Sequence, residues 1–202
     1  MHPELSRAAA LSLSAYSDMP GQFAHKFENK MTSTTFWWIE GEKDYLVFKG
    51  SAEPRDFFID ILAFPPVRYL KNWVHPGFAL AHKSIKPRLL KILRKIKSEN
   101  RQLVITGHSL GAAQAELTHL LAKSRFPKGS ILSVVSGSDI VTRVPRYCYT
   151  YGCQDQDFLY LSNHDTVYLN PDMGFVADDF SVTDSISDHS MEHYSQRCGG
   201  FK

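Results

Sequence analysis

Residues 103–113 read LVITGHSLGAA, a run of four apolar or β-branched residues that ends in G-x-S-x-G and passes into alanines. This stretch decides the fold. A serine set between a buried strand and a helix requires a tight turn. The glycines on either side (Gly107, Gly111) occur where strand and helix backbones would crowd any side chain. The helix that follows, HSLGAAQAELTHLLAKSRF, would aim its first N–H groups and its positive dipole end at the space above Ser109.

Outward from this point the pattern is α/β. Upstream, residues 78–99 place Ile85, Leu89, Ile92, Leu93 and Ile96 on one helical face, with Pro87 a possible kink site. Downstream, SILSVVSG (130–137) is a second apolar strand. Two such strands joined through helices predict a mostly parallel central sheet flanked by helices. Further upstream, TTFWWIE and YLVFKGS flank the charged turn GEKD and predict a hairpin ending at Ser51, and NWVHPGF predicts a brief strand. Beyond Pro145 the chain is rich in turn residues, with LYLSNHDTVYL (159–169) reading as a pair of strands.

The totals bound the alternatives. The chain has 202 residues, 43% of them hydrophobic and 22% charged, with a net charge of +2. That suits one globular domain over residues 1–202. No basic arm or RNA-binding signature is present, so nucleic acid is not an expected partner. No run of about 18 uncharged apolar residues exists to cross a membrane. The first twenty residues read as an amphipathic helix stopped at Pro20-Gly21 and not as a signal peptide, so a cytoplasmic location is the default, with export by a signal-less route left open. Three cysteines, Cys148, Cys153 and Cys198, suit a reducing compartment, and a Cys148–Cys153 bridge stays open.

A serine hydroxyl needs a base to take its proton and a third group to orient that base, in the chain order Ser, acid, His. Four histidines follow Ser109: His119, His164, His189 and His193. His119 falls inside the nucleophile helix and His164 in a turn, which leaves the pair in SDHSMEHYSQ. His189, Glu192 and His193 also fit H-x-x-E-H, an inverted zinc-peptidase pattern. That reading lacks a third ligand, because only nine residues follow His193 and none is acidic. It also leaves G-H-S-L-G without a role.

The segments VFKGS, VHPGF, VITGHSLGAA, VVSGSDIVTRVP and DHSMEHY stand in the order seen in class 3 lipases, which the chain resembles over roughly residues 35–195. The resemblance implies an α/β-hydrolase fold and hydrolysis of lipid esters through an acyl-enzyme. It implies Ser109 as nucleophile, Asp139 as acid, His189 as base, and Ser51 with the Leu110 N–H as the oxyanion hole. No cofactor and no metal are expected. The partner is a lipid or ester substrate, at a membrane or micelle interface in one reading. The chain departs from the family where Lys49 replaces the usual arginine. It also departs in spacing, because Asp139 follows Ser109 by only 30 residues, where the family fits an additional strand. The sheet is therefore expected to be shortened after the nucleophile helix, and Asp165, 56 residues after Ser109, is the alternative acid.

Two stretches admit both a bland and a functional reading. Phe57, Phe58, Ile61, Leu62 and Phe64 form an apolar face between Ser51 and VHPGF, either a small core helix or a lid over the serine. Residues 83–97, KSIKPRLLKILRKIK, hold no acidic residue and form either a solvated face or a surface for anionic groups. The rival for the whole chain is a lipase-like scaffold without catalysis.

Overall fold

The computed structural model describes residues 3–17, 25–50, 67–123, 125–126, 131–136, 166–170 and 174–176. A seven-stranded sheet forms the centre, in the order β1-β2-β3-β6-β7-β8-β9. Its strands are β1 (His25–Asn29), β2 (Thr34–Ile39), β3 (Lys43–Phe48), β6 (Gln102–Gly107), β7 (Ile131–Ser136), β8 (Thr166–Asn170) and β9 (Gly174–Val176). Strands β4 (Val67–Tyr69) and β5 (Asn72–Val74) make a separate antiparallel hairpin. Helix α1 (Pro3–Ser14) covers one face of the sheet, and α2 (Pro76–Ser98) and α3 (Leu110–Lys123) cover the other.

The sheet is mixed. Strands β3, β6, β7 and β8 are parallel, the expected α/β centre, while β1, β2 and β9 pair antiparallel at its margins. The TTFWWIE–YLVFKGS hairpin forms as β2 and β3. Strand β1 has no counterpart in the sequence reading, because HKFEN carries one apolar residue in five.

Central strands are buried on both faces, which is why they read as near-continuous apolar runs. Phe36, Trp38, Leu46, Phe48, Leu103 and Ile105 point toward α2 and α3. Trp37, Tyr45, Val47, Val104 and Val134 point toward Ala8, Leu11 and Ala15 of α1. The predicted stripe of α2 is the buried one, and Leu89 and Ile96 are fully enclosed. Each large-to-alanine truncation there would cost about 2–5 kcal/mol.

Two expectations change, while Pro87, the expected kink site, lies within α2 on its exposed side. NWVHPGF splits into β5 and the start of α2, because His75 caps the helix, accepting from the Gly77 N–H at 3.2 Å, and Pro76 occupies the first helical turn. Thr166–Leu169 is not an arm of the LYLSNHDTVYL hairpin; it pairs parallel with Ser133–Ser136 and adds a strand to the main sheet. The β-branched run TVYL meets a buried parallel neighbour as well as it would a hairpin partner, so residue preference alone does not separate the two. No described helix is long and apolar enough to cross a membrane.

Candidate active site

Strand β6 ends at Gly107 and α3 begins at Leu110, so His108 and Ser109 make the whole turn. Ser109 has φ +58°, a left-handed conformation that costs a non-glycine residue free energy and is held only by surrounding packing. The packing is visible in the glycines. A Cβ on Gly107 would lie 2.5 Å from the Gly111 carbonyl carbon and oxygen. One on Gly111 would run into the Phe48 carbonyl and lie 2.9 Å from the Lys49 carbonyl carbon. The end of β3, the turn and the first residues of α3 are thus in direct backbone contact.

The turn opens the helix. The Ser109 carbonyl accepts from Ala112 N at 2.9 Å and Ala113 N at 3.3 Å. The Leu110 N–H, at the first helical position, has no intrahelical acceptor and belongs to the donors an N-terminus leaves for an incoming anion. Ser109 is 1% exposed, and its Oγ has no hydrogen-bond partner among the described residues. A buried hydroxyl left in that state is costly unless a further group completes it.

Two neighbours extend the site. Parallel pairing sets Phe48 opposite Gly107, so the chain leaves β3 at the same end of the sheet. A Cβ on Gly50 would lie 2.5 Å from the His108 carbonyl oxygen and would run into the Tyr16 hydroxyl. Ser51 follows in the chain. Tyr16, just past α1, shares a 2.8 Å hydrogen bond with His108 Nδ1 across 92 residues of sequence. Sequence reasoning missed this clamp, since nothing local to Tyr16 or to the variable position of G-x-S marks the pairing.

Behind the elbow, α3 is enclosed along nearly its whole length. His82 links α2 to it: Nδ1 lies 2.7 Å from the Tyr69 hydroxyl and Nε2 lies 3.1 Å from Thr118 Oγ1. Thr118 donates to the Gln114 carbonyl, so its oxygen accepts from His82 Nε2–H, and Nδ1 accepts from Tyr69. Burial, then the nearby Lys86 charge, hold the His82 imidazole down at about 3, and burial pushes Tyr69 up to about 12. His119 lies ten residues along α3 from Ser109, roughly 15 Å away at 1.5 Å per residue, too far to serve it.

Of the expected site, Ser109 and Leu110 are thus brought together at one turn. Ser51, Asp139, Asp165 and His189, the apolar set Phe57, Phe58, Ile61, Leu62 and Phe64, and His193 and Glu192 of the zinc reading lie outside the described residues.

A strained serine between a buried parallel strand and a helix, closed by glycines at both flanks, has the geometry of the strand–turn–helix elbow of the α/β-hydrolase fold. Residues 45–130 match the lipase (class 3) family model, and this stretch runs from β3 through the whole of α3. No curated protein matches the chain. Among solved structures, the chain is similar to the triacylglyceride lipase of Rhizomucor miehei (24% identity, TM-score 0.58, covering 68% of this chain and 62% of that one). It is also similar to the triacylglycerol lipase of Penicillium expansum (22%, 0.58, 67% and 59%) and to a lipase of Rhizopus microsporus var. chinensis (19%, 0.60, 95% and 82%). The chain thus spans about six-tenths of the length of the first two. At these identities the likeness is one of fold.

Proposed function

We propose that the chain is a serine hydrolase that cleaves carboxylic esters of lipids. The observation that carries this reading is Ser109: left-handed, buried, its Oγ without a partner among the described residues, at the N-terminus of α3. The family match spans that residue, and two of the similar structures are named as triacylglycerol or triacylglyceride lipases.

In this mechanism His189 takes the Ser109 proton as Oγ attacks the ester carbonyl carbon. The Leu110 N–H and Ser51 hold the oxyanion, usually the largest electrostatic contribution. The tetrahedral species collapses to an acyl-enzyme, and His189 returns the proton to the departing alcohol. Water then repeats the sequence and frees the acid. What supports Ser51 is Gly50, its neighbour in the chain, packed against the elbow carbonyl. What supports Asp139 over Asp165 is strand direction. Asp139 follows the C-terminal end of β7, the strand beside β6, whereas Asp165 directly precedes Thr166, the first residue of β8. Acids of this fold act at the carboxyl ends of strands, the end that carries Ser109.

The apolar segment 57–64 is the lid in this reading. Exposing such a face to water costs about 25 cal/mol per Å², a cost absent in lipid. Activity per mole would then rise as a short-chain ester passes its solubility limit, and Phe58→Asp or Leu62→Asp would flatten that rise while sparing a soluble ester. Replacing Ser109 or His189 by alanine should each lower hydrolysis by up to about 10⁶-fold, with losses that do not add in the double variant. Asp139→Asn should cost up to about 10⁴-fold and Asp165→Asn little. Zinc-dependent activity abolished by chelators would overturn the triad, and a folded chain inert toward every ester would leave the scaffold reading.

A further inference from the structure

Charge in this chain is segregated. Helix α2 carries seven basic residues and no acidic one, so the remainder holds 16 basic against 21 acidic residues, a net charge of −5. Lys95 is neutralised by Glu40 at 2.7 Å. Lys83, Lys86, Arg88, Lys91, Arg94 and Lys97 have no ion-pair partner among the described residues. The charged heads of Lys83 and Lys86 lie over the Tyr69 ring and that of Arg88 over Phe27, contacts that hold them against aromatic faces without a counter-ion among those residues. Leu80, Lys83, Pro87, Lys91 and Arg94 are all exposed and follow one another at helical spacing of three and four, so they form one stripe along the helix.

The stripe ends in apolar groups, and at a particular end. Leu80 is 63% exposed in the early turns of α2, beside Phe78, whose carbonyl accepts from Gln114 in the first turns of α3. Met31 is 96% exposed in the β1–β2 turn. That turn lies at the elbow end of the sheet, because Phe36 of β2 pairs with Phe48 and Phe48 with Gly107. It is tied to α2 by the Thr32 and Ser84 hydroxyls at 3.0 Å. Two unpacked apolar side chains and a row of uncompensated cations therefore share one face that meets the rim of the elbow.

We propose that this face docks on an anionic lipid surface. Lysine and arginine on α2 would pair with phosphate headgroups, and Met31 and Leu80 would enter the boundary between headgroups and acyl chains. Docking this way lays the flank of α2 along the lipid, with its first turns beside the rim of the elbow. The proposal rests on the hydrolase reading only in treating that lipid as the source of substrate.

The test separates the two. Full-length chain carrying Ser109→Ala, which leaves lipid intact, is sedimented with phosphatidylcholine vesicles and with phosphatidylcholine vesicles containing phosphatidylglycerol. Binding is expected only to the second, and to weaken as salt rises. The combination Lys83→Gln, Lys91→Gln, Arg94→Gln should lower the partition on the order of a hundredfold, each cation near such a surface contributing about fivefold. Met31→Ser with Leu80→Ser should lower it further at high salt than at low salt. All these positions are exposed, and an unchanged melting temperature verifies folding. Equal binding to both vesicle types, or a triple variant that binds like its parent, overturns the proposal. Retention on soluble polyglutamate without vesicle binding would also overturn it, in favour of an acidic protein partner. Wild-type chain that binds the anionic vesicles yet cleaves no soluble ester would sink the hydrolase reading alone.

Discussion

The two ends of the β3–β6 pair are built by opposite means. At the carboxyl end, Phe48, Gly107 and Gly111 meet through bare backbone, and the polar group at the tip, Ser109 Oγ, has no partner among the described residues. At the amino end, charges do the joining. Arg101, just before β6, reaches Asp44 of β3 at 2.8 Å, Glu40 at 3.0 Å and Glu99 at 2.6 Å. Trp38 Nε1 donates to the other Asp44 oxygen at 2.8 Å. Burial pushes the Asp44 carboxyl up, opposed by that N–H and by the Arg101 guanidinium. The Lys95 ammonium and Arg101 hold Glu40 below the usual carboxylate range. One end is joined by ion pairs, although Asp44 Oδ2 and Arg101 Nε and Nη2 there make no well-aligned hydrogen bond; the other joins through backbone and holds a serine in a left-handed conformation. The two ends thus differ in backbone strain against charge pairing.

Substitutions can break this contrast. The largest effect is expected at Gly111→Ala, where the new Cβ meets the Phe48 carbonyl. Displacing backbone there should destabilise the chain by about 3 kcal/mol or more and abolish hydrolysis, read together by thermal melting and ester turnover. Asp44→Ala at the far end should cost about 3 kcal/mol by leaving Arg101 without its buried partner. Its turnover per folded molecule should stay near that of the parent. If turnover falls in step with stability, the two ends are coupled and the contrast fails.

How much of this was legible beforehand follows from range. The elbow could be read because strand, turn and helix are consecutive, so Gly107, Ser109 and Gly111 carry their constraint within five residues. The α2 stripe was legible for the same reason, through its helical period. The Tyr16–His108 and His82–Thr118 contacts were not, since each joins residues 92 or 36 positions apart and neither residue type departs from an ordinary surface or core choice. Strand β8 was assigned to the wrong partner because residue preference identifies a strand and not its neighbour.

Smaller effects sharpen the picture. His82 is neutral when folded, with its pKa at about 3, whereas an unfolded histidine titrates near 6.5. The unfolded chain therefore binds the extra proton between those values. The His82 contribution is complete above about pH 6.5 and falls as pH drops toward 3, by up to about 1.4 kcal/mol per unit. Melting temperatures across that window should decline less steeply in His82→Gln than in the parent. Tyr16→Phe should be the mildest, about 1 kcal/mol, from loss of the His108 hydrogen bond. A drop in turnover beyond that stability loss would show that the clamp also positions the elbow.

The central claim is that Ser109 is a nucleophile, activated by a base and set at a helix N-terminus. Labelling of the folded chain with a fluorophosphonate, followed by peptide mapping, tests it most directly. The account predicts a single adduct on Ser109, lost in His189→Ala and after denaturation. A folded chain that stays unlabelled, or an adduct on another residue while Ser109 is unmodified, would contradict it.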